Sequence, residues 1–375
     1  MKRPFDSLSD PRPSARGAVG CCRSPHVSVN WLLAAVPTAA AIAGLAPDAH
    51  VWIFLLSALS IVPLAATIGT AAERLAERVG PTIGGLVTAT FGNAPELIIA
   101  LAALREGLHD VIKAAIAGSV VGNVLLVLGA AALAGGLRHR TQCYNVPAAH
   151  AQVTLLVLAV TGMLVPALYQ GLIPPAASHL GALSVGIAMV LIAIYVCGLV
   201  FTLVTHRELF TGEVASGSEA VSGGLGSPLL RLGFATLATA WMSGLLVGSV
   251  EQAAAALSLG TGFVSVFVVA SAGNAAALLA AIRAARRDRL DLALSIAIGS
   301  STQVVLLVAP AAVLASLVLG PAPLDLAFHP GLVLAVILAV LICVQLGGDG
   351  RSDWLKGVQL LGVYVILALA FFYSG

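Results

Sequence analysis

Charge is what this chain has least of. Asp, Glu, Lys and Arg make up 10% of its 375 residues while 59% are hydrophobic, where a soluble domain carries about 25% charged residues. That leaves too little polar surface to coat a soluble fold. A net charge of +2 argues against the strongly basic face that a nucleic-acid partner needs. Cysteine is scarce and odd in number: Cys21, Cys22, Cys143, Cys197 and Cys343. None forms a Cys-x-x-Cys pair or a Cys/His spacing of the zinc kind, and the adjacent pair falls in the N-terminal stretch assigned below to the reducing side, so no structural disulfide is expected. Also missing are His-Glu-x-x-His, a nucleophile elbow and a nucleotide-binding loop, which sets aside the intramembrane-enzyme class and any resident cofactor.

What the chain does have is apolar length. Runs repeatedly reach the ~20 residues needed to cross a ~30 Å hydrocarbon core. The expected fold is an all-α polytopic membrane protein of about eleven spans, near 31–46, 51–71, 82–104, 111–135, 149–168, 181–205, 229–249, 261–282, 290–318, 330–346 and 355–373. Placing the N-terminus in the cytoplasm puts 17 of the 19 Lys and Arg on that side, leaving out only Arg105 and Lys113; an even number of spans would break that alternation. Residues 1–30 are polar and lack a signal-peptide core, so they read as a disordered cytoplasmic tail. His206 to Pro228, with Glu208, Glu213 and Glu219 among Gly and Ser, reads as a cytoplasmic linker. The organisation is then a leading helix (31–50), a first five-helix repeat (51–205), the linker (206–228) and a second repeat (229–375). Five spans on each side of the linker make the two repeats inverted in the membrane. The expected location is a bacterial inner membrane, with lipid and small inorganic cations as partners and the oligomeric state left open.

One polar motif occurs twice at membrane depth. Gly92-Asn93-Ala94-Pro95-Glu96 and Gly273-Asn274-Ala275-Ala276-Ala277 stand 181 residues apart, and the same offset carries Gly118-Ser119 onto Gly299-Ser300 and Asp110 onto Asp291. Glu96, by contrast, falls on Ala277. Each copy is expected to open a helix just below an interruption, with Gly92 and Gly273 freeing the backbone, Asn93 and Asn274 as N-caps and Pro95 in the first turn. Broken helices at membrane depth line cavities, and paired ones build the central site of a secondary transporter.

Glu96 is the expected cation and proton site, and the metal ligand. Its spacing from Asn93 also fits a capping box that merely ties up backbone donors, yet Gln would cap equally well without the ~2.5 to 3.5 kcal/mol that a charge costs at the bilayer centre. Burial favours its neutral form and a helix N-terminus its charged form, so it is suited to trade a proton for a cation. Asn93, Asn274, Ser119, Ser300, Ser301, Gln303 and Asn123 supply neutral oxygens of the kind hard cations take; taken singly, such residues also serve helix packing. Glu73 and Glu251 are candidates for gating or relay at the two entrances, while Glu77 reads as a solvated, ion-paired turn. The Arg283, Arg286, Arg287 and Arg289 cluster reads as a positive-inside anchor.

The run from Gly84 to Leu101, Gly-Gly-Leu-Val-Thr-Ala-Thr-Phe-Gly-Asn-Ala-Pro-Glu-Leu-Ile-Ile-Ala-Leu, resembles the first-repeat signature of the calcium/proton exchangers of the calcium/cation antiporter superfamily. The likeness continues through Gly118 to Gly129, through Asp291 to Gln303, and through Asp349 to Leu355. It runs from about residue 50 to the C-terminus. The resemblance implies one leading helix plus two inverted five-helix repeats, and exchange of cytosolic Ca²⁺, sometimes of other cations, for protons. It also matches the family's first central acid to Glu96. The second would stand at Ala277, with a His at Leu278, and a further acid at Gly244 after Ser243; this chain has neither. Proton-coupled Ca²⁺ antiport by alternating access is therefore the leading expectation. A Na⁺ or K⁺/H⁺ antiporter, or a non-transporting relative with a structural or regulatory role, is the alternative.

Overall fold

The computed structural model describes residues 33–79, 81–173, 179–205, 225–346 and 350–374. The tail expected over 1–30 and residues 206–224 of the linker lie outside the described residues. The linker ends earlier than expected, because a helix already begins at Gly226.

In chain order the helices are α1 (Ala35–Leu45), α2 (His50–Val79), α3 (Pro81–Gly92), α4 (Ala94–Arg105), α5 (His109–His139), α6 (Val146–Leu172) and α7 (Leu180–Thr205). After the linker come α8 (Gly226–Ala256), α9 (Thr261–Ala285), α10 (Leu290–Ser316), α11 (Pro330–Leu346) and α12 (Trp354–Ser374). Among the described residues, 8 helices are long and apolar enough to cross a membrane, or 9 if the bent pair α3 and α4 is one span. The protein is an integral membrane protein. The spans expected at 31–46 and 330–346 correspond to α1 and α11, which have 11 and 17 residues and fall short of the ~20 that a ~30 Å core asks for. Helix α2 runs eight residues past its expected end, since Ala71 to Arg78 is a run of good helix formers that continues after the apolar stretch stops.

Among the described residues the only strands form a two-stranded ribbon, and the long apolar segments are helical, as backbone in lipid must be. That ribbon pairs β1 (Thr141–Cys143) with β2 (Arg351–Asp353) antiparallel, Gln142 opposite Ser352. It straps the end of α5 to the start of α12. Gln142 is 2% exposed and donates to the Ala285 carbonyl at 2.8 Å and to Asp288 Oδ1 at 2.9 Å, fixing the same turn to the end of α9.

The core is packed around α5, α9 and α10, where Val120, Leu125, Val304 and Leu306 are fully buried. Four of the long helices carry a wider, π-type turn, at Gly122–Val127 in α5, Phe201–Thr205 at the end of α7, Val264–Val269 in α9 and Val304–Val308 in α10. Such turns gather at functional sites, since each leaves a carbonyl without its usual partner. Close approach is bought by glycine: a Cβ on Gly118 would collide with the Val266 backbone of α9. Gly118→Ala is expected to cost about 1 to 3 kcal/mol of stability through overpacking, read as a lower melting temperature in detergent. Gly171→Ala, which meets nothing within 4 Å, should leave the melt unchanged.

On the face opposite the ribbon, the connection from α10 to α11 folds inward. Leu324 and Phe328 are buried, and the Leu324 and Leu326 N–H groups donate to Ser316 Oγ and Ser184 Oγ at 2.8 and 3.0 Å. Lys113, one of the two cations that departed from the charge pattern, forms an ion pair with Asp325 of this segment at 2.7 Å.

Candidate functional site

The break expected at the first motif is present. Helices α3 and α4 meet at Asn93 with a 47° bend. Pro95 has no N–H to give the Phe91 carbonyl, so the helical ladder is interrupted there. The break expected at the second motif is absent: α9 runs through Gly273 and Asn274 without interruption. Position 276 holds Ala where the first copy has Pro95, and the ladder continues. Asn274 is therefore not an N-cap. Asn93 does stand at the N-cap position, but its side chain makes no capping bond.

Both asparagines are used across the halves instead. Asn93 Oδ1 accepts from Ser300 Oγ at 2.8 Å, and its Nδ2 donates to Gln303 Oε1. In the other copy, Ser119 Oγ donates to Asn274 Oδ1 at 2.9 Å and Asn274 Nδ2 donates to the Ser119 carbonyl at 3.2 Å. Asn123 Nδ2 adds a bond to Ser300 Oγ at 3.0 Å. The offset of 181 turns the pair Asn93 and Ser300 into Asn274 and Ser119 with the halves exchanged. It likewise turns Asn93 and Gln303 into Asn274 and Gly122, and a Cβ on Gly122 would lie 3.3 Å from Asn274 Nδ2. Asn93, Asn274, Ser119 and Asn123 are all buried. Ser301, also singled out in the sequence, instead bonds back to the Ala297 carbonyl of its own helix at 2.9 Å.

Glu96 sits in the first turn of α4 against this network. A Cβ on Gly273 would lie 3.3 Å from its Cγ and 3.4 Å from its Oε1, so the absence of a side chain at Gly273 is what makes room for the acid. Its Oε2 is sealed from solvent and has no hydrogen-bond partner among the described residues. Beside it lies a cavity of about 20 Å³ walled by Ile99, Ile116, Val269, Val304 and Ser119, room for about one water-sized particle. Asn123 Oδ1 is a second buried oxygen without a partner. A sealed, unpaired carboxylate oxygen is satisfied by a proton or a cation. The surroundings are lopsided: Ile99, Ala100, Ala103 and Leu104 toward the Arg105 end are buried, whereas Thr88, Thr90 and Gly92 on α3 are exposed.

Glu73 and Glu251 take no part in this network; both are exposed, near the ends of α2 and α8. Among the described residues no three of His, Cys, Asp and Glu gather as a metal cluster, and the other residues that line the cavity or join the network are neutral. Ala277 lies one turn beyond Gly273 on the same side of α9. What sequence reasoning missed is the pairing of Glu96 with Gly273 and of Lys113 with Asp325. The second had a signal, a lone cation off the charge pattern; the first had none beyond a glycine.

A family model described as sodium/calcium exchanger protein matches residues 49–204 and 227–373. The chain is 42% identical over 340 residues to a Ca²⁺/H⁺ antiporter of Synechocystis sp., covering 86% of this chain and 91% of the relative. It is 38% identical over 327 residues to the Ca²⁺/H⁺ antiporter ChaA of Bacillus subtilis, covering 85% and 92%. Among solved structures it superposes on native YfkE with a TM-score of 0.79 at 34% identity, covering 92% of this chain and 99% of that one.

Proposed function

Since this chain belongs to the sodium/calcium exchanger protein family, we propose that it is a proton-coupled antiporter that exchanges Ca²⁺ for H⁺ by alternating access through Glu96. The observation that carries the site assignment is the sealed Glu96 Oε2, unpaired beside neutral oxygens contributed by both halves. When a cation enters, Glu96 gives up its proton and the amide and hydroxyl oxygens of Asn93, Asn274, Ser119, Ser300 and Gln303 turn from one another to the ion. Interhelical hydrogen bonds in membranes average about 0.6 kcal/mol, so that exchange is cheap. No resident cofactor takes part, and no catalytic residue in the enzymatic sense.

The finer architecture belongs to the same proposal: eleven spans, with α1 leading and two inverted repeats over 51–205 and 229–375. It is supported by the reciprocal pairs, because only a two-fold relation between halves sends Asn93 to Ser300 and Asn274 to Ser119 together. The N-terminus lies in the cytoplasm of a bacterial inner membrane, supported by the 17 of 19 Lys and Arg that then fall on that side. In that orientation the exposed α3 side of Glu96 faces the cytoplasm and the buried Arg105 side faces out. A second reading, Na⁺ or K⁺ in place of Ca²⁺, is favoured by the single carboxylate in the network and is tested in the Discussion.

Cation flux driven by an imposed pH gradient in everted vesicles is the direct test, and no flux above empty vesicles would reject transport. Asn274→Ala and Ser300→Ala should each weaken apparent cation affinity by about tenfold, the ~1.4 kcal/mol of one lost ligand bond. Ser374→Ala, at the far end of α12, should not change it. Equal effects at all three positions would count against a shared site.

A further inference from the structure

Away from Glu96 lies a cavity of about 240 Å³, against about 20 Å³ beside the acid. It lies between α5, α6, α10, α11 and α12, next to the β-ribbon. Its inner wall is apolar, with Leu294, Ile298 and Leu360 facing Val153. Its flank is open, since Val157 and Val344 are 45% and 40% exposed on helices that cross the membrane. The ionisable groups His150 and Lys356 line its mouth toward the ribbon end, together with Ser352.

That mouth opens on a basic face. Arg286, Arg287 and Arg289 of the turn after α9, Arg138 in the last turn of α5, Arg140 just after it, and Arg351 are exposed. Three acids among the described residues share this face and are outnumbered by the cations: Asp288 accepts from Gln142, Asp291 from the Asn145 N–H and Asp353 from the Lys356 N–H. The Lys356 ammonium itself donates to the Arg351 carbonyl at 2.6 Å, which holds it at the mouth. An apolar slot open to the hydrocarbon, closed by cationic groups at the interface, has the polarity of one lipid molecule. Basic pockets between membrane helices on the cytoplasmic side take anionic headgroups in this way.

We propose that this cavity binds an anionic glycerophospholipid, with one acyl chain along Leu294, Ile298 and Val157 and the phosphate beside Lys356 and His150. The acyl chain moves from one apolar surrounding to another, so packing holds it and the headgroup supplies the selectivity. The consequence for transport is mechanical, because Leu290, Leu294 and Ile298 belong to α10, the helix that carries Ser300 and Gln303. An occupied slot braces that helix in its present position.

The test uses the purified full chain in detergent, with dioleoyl phosphatidylglycerol or dioleoyl phosphatidylcholine at equal mole ratio, read by native mass spectrometry and thermal melting. Phosphatidylglycerol should be retained and should raise the melting temperature above that with phosphatidylcholine. Thr154→Trp and Val157→Trp, each placing an indole in the slot from an exposed position on α6, should remove retention of both lipids. Lys356→Gln should remove only the preference for phosphatidylglycerol, and Lys356→Arg should keep it. Equal retention of the two lipids by the unaltered protein, or undiminished phosphatidylglycerol binding by both tryptophan variants, would overturn the proposal.

Discussion

Glu96→Gln is expected to reduce pH-gradient-driven cation flux to the level of empty vesicles while leaving the protein folded and inserted. The amide is nearly isosteric, so the fit against Gly273 is kept. It can neither release a proton nor neutralise an ion, and among the described residues that line the cavity or join the network Glu96 is the only carboxylate. A bound cation would then sit in a low-dielectric pocket with no compensating charge, which membrane interiors do not tolerate. The melting temperature should match that of the unaltered protein or exceed it, because a buried, unpaired carboxylate oxygen is replaced by a neutral amide beside Ser119 in the same cavity. Glu96→Asp, which withdraws the charge by one methylene, should retain measurable flux at reduced affinity. Wild-type flux in the Gln variant would make Glu96 a capping residue and put the coupled site elsewhere.

The fold and the site were legible in the sequence to different depths. Helix positions were legible because the bilayer imposes a length of apolar chain that few other constraints disguise; α5, α6, α7, α9 and α10 all fall within a few residues of expectation on at least one end. The pairing of the halves was legible as a single offset, since duplication preserves spacing. The local backbone was not. Gly-Asn reads as a breaker in both copies, but only the first has Pro95 behind it, and without a missing N–H the second motif stays helical. The destination of the asparagine side chains was equally hidden, because N-cap preference is a local rule and these side chains are claimed by Ser300, Gln303 and Ser119 from the opposite half. Local rules gave way where tertiary partners within the membrane offered a buried amide a better bond.

The same reciprocity makes the missing acid a defined experiment. Glu96 packs against Gly273, so the two-fold relation places a side chain at 277 against Gly92, and a Cβ on Gly92 meets nothing within 4 Å. The space that a second carboxylate needs is still open. With Glu96 alone, a bound Ca²⁺ leaves one positive charge unneutralised in the cavity, whereas Na⁺ or K⁺ is neutralised; Ca²⁺ sites also commonly draw on more than one carboxylate among their ~6 to 8 oxygens. Ala277→Glu adds a second negative charge. At 4 Å and an effective dielectric near 20, that is about 4 kcal/mol for each unit of cation charge. A divalent ion gains twice as much as a monovalent one, and even after desolvation the preference for Ca²⁺ over Na⁺ or K⁺ should rise by at least about tenfold. The pH dependence of flux should change shape as well, broadening into two steps, because two facing carboxylates titrate as a coupled pair. Flux measured against Ca²⁺, Na⁺ and K⁺ across a range of pH reads both effects. An unchanged ion preference together with an unchanged pH profile would mean that residue 277 does not face Glu96, and the two-fold relation inferred from Asn93, Ser300, Asn274 and Ser119 would fail at this position.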